Sequence, residues 1–483
     1  MRERASIAVP LDSDEAADSE RFGPKAANLA ALAQAGLPTP GGTCIDAEAY
    51  RTQLAHLGLE ALARRAASAE LLLARRCALE VRLSLFEQPL APPLLEPLLG
   101  AWRALCGAPA AVRSSALVED REGASFAGQF ESYLGVETEA DFLTAVRACW
   151  AALWSVRALR YMASRGVDPS ETAMAILVQP LVAARASGGG LSRTASGEML
   201  LSAAPGLGSA IAQGEVVPDR YLLGREEQGF ALRRAERDGV EHPVEEQGFA
   251  LRRAERDGAE HPVDAVLLSA EPGRTEHRAG CAHQKGAARS TPAARACLEA
   301  SQARELGRLL LRAEEVLGVP VEIEWALDGA GFKLLQARPL RLGTAQVPDE
   351  PLPGQRGITG EPAGIGQASG RACVVSCECE LGRVAPGDVL VTKVASPALI
   401  HVLARVAAVV TELGGSTSHL ASLARERGIP LVLGVAEATA RIPDGVQVAV
   451  DGVSGIVRWT RRRPGEEGPR GARRAMKTNR AGL

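Results

Sequence analysis

Aromatic side chains are scarce in this 483-residue chain, at 4% of the sequence, a scarcity that goes with abundant Ala and Arg and points to composition rather than function. No segment supplies the roughly eighteen consecutive apolar residues of a membrane-spanning helix. Met1-Arg-Glu-Arg is not followed by the apolar stretch of a secretory leader, so a cytoplasmic location is expected. Charge of one sign is lacking as well: a net charge of −3 gives no reason to expect nucleic acid or an acidic membrane as partner. The cysteines number nine, an odd count, which without a leader argues for reduced thiols rather than a disulfide framework. Cys373, Cys377 and Cys379, even with Cys281 and His283, match no standard zinc spacing and read as strand packing. What remains is a globular composition, 46% hydrophobic and 23% charged, on a chain too long for one core, so two to four domains are expected.

Residues 1–342 alternate helical and strand-like segments. The stretch 343–356 is Pro-rich and aperiodic, which marks a linker. A flexible chain of that length spans roughly 20 Å on average and at most about 50 Å. A compact unit over 357–459 follows, ending in an alternating hairpin around Asp451-Gly452, and 460–483 reads as a basic, disordered tail. Glu226–Val244 repeats almost perfectly as Glu245–Val263, differing at Val240 against Ala259. Such a duplication suggests one hairpin or short helix copied at the surface, where insertions cost little loop entropy.

The densest signal lies in the compact unit. Val406–Thr411 reads as a buried strand broken by Gly414 and Gly415, with a helix from about Ser418 and Gly428-Ile-Pro430 at its C-terminal end. His419 then stands at a helix start, whose positive end favours the neutral, nucleophilic imidazole needed to accept a phosphoryl group. The glycines, Thr417, Ser418, His419, Arg425, Glu426, Gly428, Ile429 and Pro430 resemble, in register, the phosphohistidine loop of the phosphoenolpyruvate-utilising enzymes, the family of phosphoenolpyruvate synthase and pyruvate phosphate dikinase.

Four stretches of the first half resemble the ATP-grasp nucleotide-binding domain of the same family. Phe22-Gly-Pro-Lys25-Ala-Ala-Asn28-Leu29, with Ala35 to Gly41, is similar to its N-terminal motif, and the resemblance gives Lys25 to the ATP phosphates. In Ala111-Val-Arg113-Ser-Ser115 to Glu131, Arg113 is read as closing an apolar strand and reaching the phosphates, while Ser125 to Gln129, with Gly128, is the small-residue loop over the nucleotide. Ala204–Asp219 resembles the family's glycine turn. One departure stands before it: Ala186–Gly197 lacks the family's apolar strand and its aspartate.

Val321–Arg338 can be read from periodicity. Two strands flank an Asp-Gly turn, and with a three-residue loop the even-numbered Glu322, Glu324, Gln336 and Arg338 share one face. Two carboxylates, an amide oxygen and a guanidinium converging there suit Mg²⁺ bound to ATP. The resemblance assigns the metal to Glu324 and Gln336, the phosphates to Arg338 and a supporting role to Glu322.

The expected fold is therefore a multidomain α+β and α/β chain: an ATP-grasp domain followed by a swivelling β/β/α phosphohistidine domain. The resemblance implies that His419 attacks the β-phosphate of ATP, leaving AMP, and that the carrier then takes its group to an acceptor. That acceptor is expected to be pyruvate on a separate chain, since no barrel domain follows residue 459. Two alternatives stay open: a phosphohistidine kinase serving another small molecule or protein, and a catalytically impaired ATP-binding or regulatory relative.

Overall fold

The computed structural model describes residues 6–68, 70–119, 130, 132–226, 229–237, 240–242, 296–340 and 356–459. Three sheets organise them. The first has five antiparallel strands in the order Ala8–Pro10, Thr43–Ile45, Met174–Pro180, Ala110–Ala116 and Ser132–Val136. Helices Ala47–His56, Leu71–Glu87, Pro92–Arg103 and Glu139–Ala152 gather around a core that includes Tyr50, Leu85, Phe142, Trp150 and Trp154. Trp154 donates its indole N–H to the Tyr50 hydroxyl at 2.8 Å, which satisfies both of these buried polar groups. The stretch Glu139–Ser164 is long and apolar enough to cross a membrane by composition alone. It is two helices, Glu139–Ala152 and Val156–Ser164, whose apolar residues fill this core.

The second sheet has seven strands. Its order runs from Val240–His242 through Gly229–Arg237, Asp219–Glu226, Met199–Pro205, Ala186–Leu191 and Val321–Asp328 to Gly331–Pro339. One face packs on helices Ser19–Gln34 and Ala300–Leu317, with Phe22, Leu29, Leu306, Leu310, Ile323 and Trp325 in the core between them. The first copy of the duplication makes strands Gly229–Arg237 and Val240–His242 at the sheet edge. Its second copy lies outside the described residues, as do most of 343–356 and all of 460–483.

The expectation that 186–197 lacks a strand is overturned here. Ala186–Leu191 is a fully buried strand inside the sheet. Its three glycines carry little strand propensity, but each fills a place where a side chain would collide. A Cβ on Gly188 would lie 1.8 Å from the Ser202 carbonyl oxygen, and one on Gly190 would meet Leu201 at 3.1 Å.

The third sheet, in 356–459, has eight strands of two kinds. Gln367–Val375 pairs antiparallel with Gln447–Asp451, whose hairpin partner is Ile456–Trp459. On its other side the same strand begins a parallel run with Val389–Thr392, Ala408–Thr411 and Leu431–Leu433. Helix His419–Arg427 connects the last two parallel strands, so His419 lies beyond the carboxyl end of Ala408–Thr411, where ligands of parallel sheets collect. One continuous apolar cluster joins the first sheet's core to Leu390, Val409, Leu420 and Leu423.

The thiol expectation holds for Cys44, Cys77, Cys106 and Cys373, which are free, and fails for Cys377 and Cys379, which form a disulfide. After Val375 the chain leaves the sheet into a tight 3₁₀ turn, which brings these two Cα atoms to 5.3 Å, a separation that sequence spacing alone did not indicate.

Candidate functional site

Lys25 owes its position to a break in its helix. Gly23 has φ 72°, and a Cβ there would sit 2.4 Å from the Ser115 hydroxyl. Pro24 restarts the helix, as proline does at a first turn, and Lys25 follows it. Its Nζ donates to the Ser114 carbonyl at 3.2 Å and pairs with the Glu119 carboxylate at 2.8 Å. Burial pushes the Glu119 carboxyl upward in pKa, with the Lys25 charge pulling against it. Glu119 was legible as part of a motif, but nothing in the sequence assigned it to Lys25. Arg113 does not close its strand; it lies in the middle of Ala110–Ala116 and reaches the Glu324 carboxylate at 3.4 Å.

The hairpin corrects its own expected geometry. Asp328 pairs with Gly331, so the turn holds two residues, not three. An irregularity at Glu324/Trp325 leaves Leu335 without an opposite number, which resets the register. Glu324 therefore faces Gln336, and Glu322 faces Arg338. Glu322 and Arg338 are bonded at 3.1 Å and buried at 6% and 8% relative exposure, whereas the Glu324 side chain keeps 36% of its surface. Burial works against ionisation of Glu322, but Arg338 and Arg425 outweigh it and hold the carboxyl below its ordinary value.

The phosphohistidine-type loop follows Thr411. Gly414 has φ +114°, a value that disfavours any side chain, and its N–H donates to the Val216 carbonyl at 3.2 Å. Gly415 lies against Pro218, where a Cβ would come within 2.7 Å of the ring. Ser418 caps the helix by accepting from the Ala421 N–H at 3.3 Å, and Gly428 ends it in the left-handed conformation at φ 65°. Thr417 touches Gly189: all three nearest neighbours of a Cβ built there belong to Thr417, the first at 2.4 Å. His419 is the first helical residue, and its pKa lies below the ordinary 6.5. Burial is the main cause; Arg338 and Lys25 add to it, while Glu324 and Glu322 oppose it.

These parts meet in one cleft of about 490 Å³, lined by Lys25, Arg113, Glu324, Gln336, Arg338, Thr417 and His419 among others. Its size is that of a nucleotide-scale site. Glu322 is not on the wall but beneath it, Gly414, Gly415 and Ser418 belong to the loop without lining the cleft, and Ser125 and Gly128 lie outside the described residues. The Glu324 carboxylate and the Gln336 amide oxygen are hard donors opposite one another at the cleft, a set that fits Mg²⁺. Sequence reading missed Gln179 to Val182, which line the wall where strand Met174–Pro180 ends, because an apolar strand end has no distinguishing pattern. It also missed the contacts of the His419–Arg427 helix: Arg425 with Glu322 at 2.9 Å, Ser422 with Arg338 at 2.6 Å, and Glu426 with Tyr161 and Arg165.

Comparison with known proteins is consistent along the chain. Residues 19–352 match the pyruvate phosphate dikinase AMP/ATP-binding domain, and residues 384–455 match the PEP-utilising enzyme mobile domain. Phosphoenolpyruvate synthase of Aeropyrum pernix is 32% identical over 466 residues, covering 90% of this chain and 56% of that protein. Its namesake in Pseudomonas aeruginosa is 31% identical, covering 92% and 57%, and that of Pyrococcus furiosus 34% identical, covering 72% and 40%. The chain thus spans about half the length of the curated relatives it matches. A solution structure of an Enzyme I protein aligns at 27% identity over 21% of this chain, with a TM-score of 0.16 that carries no weight. With the ATP-binding domain matched over more than half of the sequence and the mobile domain behind it, the chain belongs to the phosphoenolpyruvate synthase and pyruvate phosphate dikinase family.

Proposed function

We propose that this chain is an ATP-dependent phosphotransferase of the phosphoenolpyruvate synthase type, with His419 as the temporary carrier. The observation that carries the reading is the shared cleft: His419 lines the same 490 Å³ space as Lys25, Arg113, Glu324, Gln336 and Arg338. Lys25, Arg113 and Arg338 supply positive charge for a triphosphate, fixed in place before any reaction by their partners Glu119, Glu324 and Glu322. Glu324 and Gln336 would hold Mg²⁺, which when bound screens phosphate charge. The depressed pKa of His419 keeps a lone pair available near neutrality.

In the step proposed, an imidazole nitrogen forms a bond to the β-phosphorus while the bond to the α–β bridging oxygen breaks, so AMP departs. Both terminal phosphoryl groups then ride on His419 until water cleaves the link between them. The carrier next releases its remaining group to an acceptor. Pyruvate is the acceptor that relatives named phosphoenolpyruvate synthase favour. On this reading the stretch 343–356 would serve as the tether that lets the carrier travel.

The test is incubation of the full chain with Mg²⁺ and ATP labelled separately at the β and γ positions. Acid-labile, base-stable β label on the protein, absent from His419→Ala, is the expected result. Nucleotide binding without any label would sink the proposal. Phosphoenolpyruvate formation on adding pyruvate and a barrel domain would identify the acceptor.

A further inference from the structure

We propose that Arg425 is a positioning residue that sets the register of the His419 helix on the nucleotide-binding half through Glu322; this rests on the phosphotransfer reading above. Arg425 is absent from the cleft wall, so it cannot act on the nucleotide directly. It is buried, with 9% relative exposure, and its guanidinium is divided between the two halves. Nη1 donates to the Ser416 carbonyl at 2.6 Å and to the Ala363 carbonyl at 3.4 Å, both on the carrier side. Nη2 donates to the Glu322 carboxylate at 2.9 Å, on the hairpin.

Ser416 belongs to the turn that presents His419, three positions before it. Glu322 in turn is bonded to Arg338, a cleft residue, at 3.1 Å. Ser422 completes the cluster: its hydroxyl donates to Glu322 at 3.1 Å and accepts from Arg338 at 2.6 Å. A short chain of contacts therefore runs from the histidine turn, through Arg425 and Glu322, to a cationic wall of the cleft.

Burial makes this arrangement selective. Two guanidiniums and one carboxylate share a dry site, and each depends on the others for compensation. A docking pose shifted by one helical position would set Glu322 against Ala424 or Glu426 in place of Arg425 and strand buried charge on both sides. The proposed role is thus to reject misregistered poses, which a contact confined to the carrier would not do. Misplacement by about 1 Å is enough to slow a transfer step greatly.

The test is a double-mutant cycle in the full chain with Arg425→Ala, Glu322→Ala and both together. The readouts are the rate of β-label transfer to His419 and the affinity for a fluorescent ATP analogue. Arg425→Ala is expected to slow labelling about 100-fold while nucleotide affinity stays within about 3-fold. The double variant should be no slower than the slower single one. Losses that multiply, or an unchanged rate in Arg425→Ala, overturn the proposal. Should Arg425→Ala fail to fold, Ser422→Ala, which favours helix and removes the hydroxyl shared by the cluster, should slow labelling about 10-fold with affinity kept; an unchanged rate there overturns it equally. If the unaltered chain takes no label, the phosphotransfer reading fails instead. The same cycle read by hydrogen exchange of the amides in 419–427 then decides the contact, non-additive loss of protection supporting it and additive loss refuting it.

Discussion

Glu324 faces Gln336 across the hairpin only because Leu335 is an extra residue in its strand. Without that bulge the two-residue turn would pair even positions with odd ones, and the amide would point away from the carboxylate. If these two donors hold Mg²⁺, Glu324→Ala and Gln336→Ala should each weaken Mg²⁺-dependent ATP binding by about 10–100-fold. Calorimetric titration with and without Mg²⁺ checks this. Equal losses in both conditions would assign the pair a metal-independent role.

The second expectation concerns pH. His419 has a docked pKa below the ordinary 6.5, so an undocked imidazole takes up a proton first as pH falls. Protonation therefore favours the undocked state: docking is undisturbed above about 6.5 and is progressively lost as pH drops through that value toward the depressed one. The labelling rate should be flat from about pH 7 to 8 and fall on the acid side. A rate that climbs toward pH 6 would contradict this sign.

Gly189→Ala tests the seat of Thr417. The strand is extended there, so alanine brings no backbone strain and slightly reduces unfolded-state freedom. The new methyl, however, would sit 2.4 Å from Thr417 Cβ. Labelling should drop by about 10-fold or more with nucleotide affinity and melting temperature nearly unchanged. Unimpaired labelling would mean that Thr417 needs no such close seat.

Lys25→Ala should strand the buried Glu119 carboxyl, whose side chain has 0% exposure. The cost is about 2–4 kcal/mol in denaturant unfolding, at the lower end because Lys25 itself keeps 19% of its side-chain surface. Combining Lys25→Ala with Glu119→Gln should recover part of that loss, since no ionisable group is then left without a cation. A double variant as unstable as the sum of the two would locate the strain elsewhere.

The parts of this molecule that rest on local rules were legible in the sequence. A helix starting near Ser418, Gly428 as its terminator and a buried strand ending at Thr411 all follow from backbone chemistry within a few residues. The shared face of Glu322, Glu324, Gln336 and Arg338 was reached through a wrong turn length that a bulge compensates; nothing in a side-chain pattern announces an unpaired Leu335. Ala186–Leu191 was misread because glycine has no strand propensity, and only the crowding by Ser202, Leu201 and Thr417 explains it. Arg425 and Glu426 were visible as motif residues, but charges on a helix normally meet water. Their partners Glu322, Tyr161 and Arg165 lie far away along the chain.

Thr417 and His419 form one side of the cleft that Lys25 and Arg113 line, so on the proposed reading the nucleotide and the carrier loop share one space. If the carrier swings as proposed, that sharing would order events like a turnstile: nucleotide first, imidazole second, spent nucleotide out once the imidazole has withdrawn. Throughput would then depend on how readily the carrier lets go, and a chain that gripped it too firmly would be slow however good its chemistry.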